Sequence, residues 1–176
     1  MAIIEAIQSV YLEAAAASAI TFESLGSYDH LQLRMTLKTL NTNATVAGGE
    51  MRFGDSAGIS TSGYSAHRMY GEDTSVSASI SEGVDAAQFY PVCSSVVEAA
   101  EYSTHILNIF DYRSTVKNVT WMMTAGGDSG ATGGYVAFHG GIWIKPTLAT
   151  PMTQFYISNN SFARGSEFTL YGIKDS

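Results

Sequence analysis

The chain is short of charge, and of basic charge above all. Among its 176 residues only nine are Lys or Arg against 16 Asp or Glu, leaving 14% charged residues and a net charge of −7. An ordinary soluble domain carries about 25% charged residues. Nucleic-acid binding is not expected, because phosphate contacts need clustered Lys and Arg and the basic residues here are scattered. The single cysteine, Cys93, rules out an intrachain disulfide and any zinc site built on several thiolates. Within Val92-Cys93-Ser94 it reads as a small buried residue rather than a nucleophile. No apolar run approaches the roughly 18 residues of a membrane span, so no membrane partner is expected. Ala14 to Ala17 resembles a leader cleavage region, but Glu5 and no Lys or Arg precede it, so export by a secretory leader is not expected. Proline is scarce as well: Pro91, Pro146 and Pro151 lie between apolar runs, and no Pro-rich linker divides the chain.

What takes the place of charge is Ser, Thr, Gly and Ala, with 45% hydrophobic residues. The length suits one domain with a sizeable core. Leu31, Leu33, Met35 and Leu37 alternate with Gln32, Arg34, Thr36 and Lys38, the pattern of a strand with one buried and one wet face. Phe168 and Leu170 alternate with Thr169 and Tyr171 in a closing strand, entered through the turn Arg164-Gly165-Ser166. Shorter runs rich in Ile, Val, Tyr, Phe and Trp add about eight more strands. Glycine clusters at 48–49, 126–127, 133–134 and 140–141 read as the punctuation between them. Together these predict an all-β antiparallel sandwich, of jelly-roll type. Two stretches resist assignment. Residues 1–19 fit a helix or an extended arm, and 84–101 has room for a short helix around 95–101.

Two short motifs have a catalytic look. Gly54-Asp55-Ser56-Ala57-Gly58 fits the G-x-S-x-G pattern, which exposes a serine where a strand turns into a helix. The Ser/Gly-rich sequence that follows forms no helix, so the elbow lacks its context. Gly127-Asp128-Ser129-Gly130 has the shape of a serine-protease loop, but His105, in an apolar run, and Asp111 make poor triad partners, and the glycines make Asp128 and Ser129 turn residues. A hydrolase using Ser56 or Ser129 is therefore a remote alternative, and no catalytic residue is assigned. His30, His67, His105 and His139 lack the close spacing of a metal pair, so neither metal nor cofactor is expected.

Three blocks of the chain resemble tailed-bacteriophage minor structural proteins. Residues 18–38 hold a Ser/Ala segment, Ile20-Thr21-Phe22, a turn with Tyr28, and Leu31-Gln32-Leu33-Arg34; residues 51–71 hold Met51-Arg52-Phe53-Gly54-Asp55 and Gly63-Tyr64 with His67 and Gly71. In that second block the family's usual Asn before Gly-Asp is missing, and Gly63 replaces the Asn before Tyr64. The third block joins Ile109 to Tyr112, Gly141-Ile142-Trp143 and the ending from Phe162 to Ile173. The resemblance implies a virion component, assembled in the host cytoplasm, with a β-sandwich fold and no enzyme activity. Its sharpest form is a capsid cement or decoration protein clamping major capsid protein subunits. The alternative is a receptor-binding module of a tail or head fibre, which the lack of a coiled-coil stalk disfavours. A homotrimer is expected, as is common among phage cements and fibres. Residues 1–18 would form an N-terminal arm before a single domain at 19–176. Ile3, Ile7, Val10 and Tyr11 of that arm need cover, as edge strand or subunit contact, and with Trp143 and Tyr171 they are the interface candidates.

Overall fold

A computed structural model describes residues 3–14, 17–42, 46–94, 101–130 and 133–174, with the side chains of 129 and 130 outside the description. The chain is all-β, with no helix among the described residues. Its strands are β1 (Ile3–Tyr11), β2 (Ala17–Phe22), β3 (His30–Thr39), β4 (Val46–Asp55), β5 (Gly58–Ile59), β6 (Tyr64–Glu72), β7 (Ser75–Val84), β8 (Ala87–Ser94), β9 (Ser103–Phe110), β10 (Val119–Gly130), β11 (Gly133–Trp143), β12 (Gln154–Phe162) and β13 (Glu167–Lys174).

Pairing runs through one mixed sheet with two branches. The longer branch is antiparallel throughout, in the order β1-β13-β3-β9-β10-β11-β6-β7. The shorter has β2-β12-β4-β8, with β5 on β4. They join at the end of β3, where Lys38 and Thr39 pair in parallel with Cys93 and Ser94 and Thr39 meets Phe162. That short parallel contact departs from the all-antiparallel pattern expected.

The period-two pattern decides what is buried. Leu31, Leu33, Met35 and Leu37 of β3 and Phe168 and Leu170 of β13 enter one core, as the alternation predicts. Rings from the two branches meet there: Phe53 lies 6.0 Å from Trp143, which stacks on Tyr64 at 6.5 Å. Tyr64 spans the same gap through its hydroxyl, which accepts from Phe53 N at 2.8 Å and reaches the Ser60 carbonyl at 3.1 Å. Burial pushes that phenol up to about 12.

Two segments that the sequence leaves open each take one form, and two expectations need correction. The segment 84–94 is largely strand β8, carrying buried Phe89, Val92 and Cys93; the helix considered at 95–101 lies outside the described residues apart from Glu101, which is not helical. Residues 3–11 take the extended form, not the helix that Ile3, Ile7 and Val10 also allow. Lys38 is buried rather than wet, its ammonium 5.8 Å from the centre of the Tyr102 ring. The glycine clusters fall inside strands. Gly49 approaches the Phe89 ring, Gly127 approaches Cys93 Sγ, and a Cβ on Gly141 would come within 2.3 Å of the Ser65 carbonyl and 2.6 Å of the Trp121 ring. These glycines leave room for bulky neighbours rather than turning the chain. Gly141→Ala is therefore expected to cost about 2–3 kcal/mol, measured by urea denaturation, because a backbone oxygen and a locked indole cannot both retreat.

Candidate functional site

The outward face of the longer branch divides into two halves of opposite chemistry. On β3, β9 and β13 it is mainly polar and internally tied, with Ile106 exposed among the polar side chains. Gln32 Nε2 donates to Asn108 Oδ1 at 2.8 Å, Arg34 Nε donates to Gln32 Oε1 at 2.8 Å, and the Arg34 guanidinium lies 4.7 Å above the Tyr171 ring. On β10, β11, β6 and β7 the same face is apolar. Across these strands the register aligns Thr124, Phe138, Met69 and Ala78 in one row, and Met122, Gly140, His67 and Ile80 in the next. Met69, Ile80, Met122, Val136 and Phe138 are each between 51% and 59% exposed and lie on neighbouring strands, so together they form a patch. Gly140 contributes no side chain at the centre of the patch, where a shallow concavity of about 560 Å³ lies between Met122, Phe138, Met69 and Ile80, with His67 and Arg68 also lining it. Large contiguous apolar surface of this kind marks a contact site.

On the opposite side of β6, where Tyr90 of β8 faces it, stands an aromatic cluster. Tyr90 lies 5.7 Å from Tyr70 and 5.6 Å from Tyr135, and the Arg68 guanidinium covers Tyr70 at 5.1 Å and Tyr90 at 5.7 Å. Tyr135 donates to Glu72 through a short hydrogen bond, and Arg68 Nε donates to Ser79 Oγ at 3.2 Å. Burial, then hydrogen bonding to the Glu72 carboxylate, holds the Tyr135 phenol above its ordinary range.

The serine motifs take other roles. Ser56 and Ala57 form the turn between β4 and β5, so strand returns to strand where a nucleophile elbow would enter a helix. Asp55 Oδ1 accepts from Ala57 N at 2.8 Å and Oδ2 accepts from Thr150 Oγ1 at 2.8 Å, so this carboxylate holds the turn together. Asp128 belongs to β10 opposite Gly134, not to a turn, and the side chain of Ser129 lies outside the described residues. His105 is buried, with Nε2 3.0 Å from Ser103 Oγ, whereas Asp111 pairs with Lys117 Nζ at 2.9 Å. Among the described residues no three His, Cys, Asp or Glu side chains gather as metal ligands.

Of the interface candidates, Ile3 and Tyr11 are 53% and 58% exposed on β1, while Ile7 and Val10 pack partly against the core. Tyr171 is half-buried beneath Arg34. Trp143 is fully within the core, the first of the two roles its size allows. Sequence reasoning missed the apolar patch. Its signal lies in Trp121-Met122-Met123 and Tyr135-Val136-Ala137-Phe138, where large residues occupy both parities of a strand.

No family model matches the chain, and no curated protein matches it. Among solved structures, the CBM2 module of the evolved Dit of Lactobacillus casei BL23 phage J-1 aligns at 10% identity with a TM-score of 0.27, over 90% of this chain and 69% of that one. The likeness is to a phage protein, and a superposition this loose supports no inference about fold or function.

Proposed function

We propose that the chain is a structural protein of a tailed-phage particle that docks onto another virion protein through the apolar half of its outer sheet face. The observation that carries this reading is the row of Met69, Ile80, Met122, Val136 and Phe138, half exposed on one surface with no charged side chain among them. Interface cores are depleted in charge and rich in aromatic and Met side chains, which is the composition of this patch. The sequence blocks that resemble phage structural proteins supply the particle. In its sharper form the chain is a capsid cement that clamps major capsid subunits, with the two branches forming the layers of a sandwich or jelly roll. The mechanism is mechanical: many modest interfaces summed over a shell, with no bond made or broken and with neither Ser56 nor Ser129 as a nucleophile.

A second reading, a receptor-binding module, draws on Tyr70, Tyr90 and Arg68, whose rings and guanidinium pack together between β6 and β8.

Particles lacking the chain separate these readings when purified protein is added back. Wild type is expected to co-sediment with them. Phe138→Glu combined with Met122→Glu should weaken binding more than tenfold with melting unchanged, since both side chains face solvent. Binding equal to wild type would remove the docking face. Depleted particles should lose heat resistance; if they stay heat-resistant but fail to adsorb, receptor binding replaces cement.

A further inference from the structure

The longer branch ends in an unprotected edge. Among the described residues β7 pairs with β6 alone, through nine aligned positions from Ser75 to Val84. Natural sheets guard such edges with Lys, Pro, bulges or short strands. The opposite edge of this branch, β1, has a register break at Ala6/Gln8 and carries Glu5, and the edge of the shorter branch, β2, is only 6 residues long. β7 has 10 residues and neither Lys, Arg nor Pro; its acidic residue, Glu82, and its register break, between Glu82 and Val84, both lie at its C-terminal end, which leaves 75–81 regular and uncharged.

Its sequence is close to a palindrome. About Ala78, antiparallel self-pairing sets Val76 against Ile80, Ser77 against Ser79 and Ser75 against Ser81, with Ala78 opposite itself. Apolar residues stay on the outer face and serines on the inner face, because both partners of each pair have the same parity. Residues 75–81 contain no ionisable side chain, so copies that each carry −7 meet along their uncharged strand. Glu82 lies across from Thr74, not from another Glu82. Serine and alanine also keep the seam low enough for two backbones to close.

We propose that β7 is a self-association edge, through which two copies pair antiparallel about a two-fold axis at Ala78 and continue one sheet into the other. Seven residues at about 3.4 Å each make a seam of roughly 24 Å, closed by about six to eight main-chain hydrogen bonds. Such a contact is isologous and closed. It sets Val76 of each copy beside Ile80 of the other, so the apolar faces meet across the seam. The proposal goes beyond the docking reading and is separable from it. The seam uses the main-chain edge, whereas docking uses the side chains of Met122 and Phe138, whose replacement leaves the seam intact.

Sedimentation equilibrium of the full chain at about 100 µM, a concentration suited to a small interface, should give twice the 18.8 kDa monomer mass. A stable monomer overturns the proposal, and so does a trimer, the state expected from sequence, because a two-fold seam cannot close three copies. Register is read by crosslinking, since the one native thiol, Cys93, is buried. Under mild oxidation Ala78→Cys should form a disulfide-linked dimer, its two thiols meeting at the axis. Ile80→Cys, which faces Val76 of the other copy, should give at least tenfold less. Equal crosslinking of the two variants, or a larger yield from Ile80→Cys, contradicts the seam. Ala78→Lys, with its side chain in solvent and two like charges directly opposite, should raise the dimer dissociation constant about tenfold; no change would count against it.

Discussion

Trp143→Ala is expected to destabilise the fold by about 3–5 kcal/mol, the range for removing a fully buried aromatic. Trp143 is 1% exposed, stacked on Tyr64 and tilted against Phe53, so truncation opens a cavity where β11, β6 and β4 meet. Rigid neighbours cannot collapse into it: Tyr64 is tied by its hydroxyl to Phe53 and Ser60. Against a total stability of about 5–15 kcal/mol, such a loss approaches global unfolding. Tyr171→Ala, at the other aromatic interface candidate, should cost no more than about 1 kcal/mol, since it gives up mainly a half-exposed stack with Arg34. Urea denaturation of both variants checks the contrast. Equal losses would mean that Trp143 is not the keystone its burial suggests.

The second large effect is loss of stability in acid. His105 is completely enclosed, its Nδ1 meets no partner at good hydrogen-bond geometry although the Pro91 backbone favours its charged form, and Phe89 packs edge-on at 5.4 Å. Burial first, and then the neighbouring His139, lower its pKa to about 3. His139 is lowered too, mainly by burial, and its Nδ1 is likewise unpartnered. The sign follows from linkage. A histidine whose folded pKa is depressed binds its proton only in the unfolded chain between the two pKa values. Stability is therefore full above the unfolded value of about 6.5 and falls as the pH drops toward about 3. A shift of this size corresponds to roughly 4–5 kcal/mol for His105 alone, as an order of magnitude. Denaturant titrations at pH 7 and pH 4 should show a steep loss for the wild type and a much smaller one for His105→Leu, in which Ser103 Oγ keeps its bond to the Leu37 carbonyl at 3.1 Å. The same acid slope in both proteins would place the sensitivity elsewhere.

How far the sequence reveals this molecule depends on how local each signal is. β3 and β13 are legible because alternation is a property of consecutive residues, and one of their faces is plainly polar. β8 is hidden: Ala, Pro, Cys and Ser dilute its β-character, and only its place between β4 and the end of β3 makes it a strand. The glycines mislead for a related reason. Gly49 and Gly141 are needed by Phe89 and Trp121, partners about 40 and 20 residues away that no local pattern announces. The docking patch is the deepest case. Alternation separates two faces but does not say which one is covered, so Met122 between Trp121 and Met123 reads equally as core or surface. Nor could the self-complementarity of Ser75 to Ser81 carry weight until β7 was seen to end the sheet.

If the apolar half of the outer face is an assembly surface, an image of an intact particle will show it covered. At a resolution that traces strands, density for this chain should show β10, β11, β6 and β7 turned toward a neighbouring virion protein, with Met69, Met122 and Phe138 covered. Density in which that face looks onto solvent while the chain is held elsewhere, or a particle without the chain, would rule out an assembly role for it.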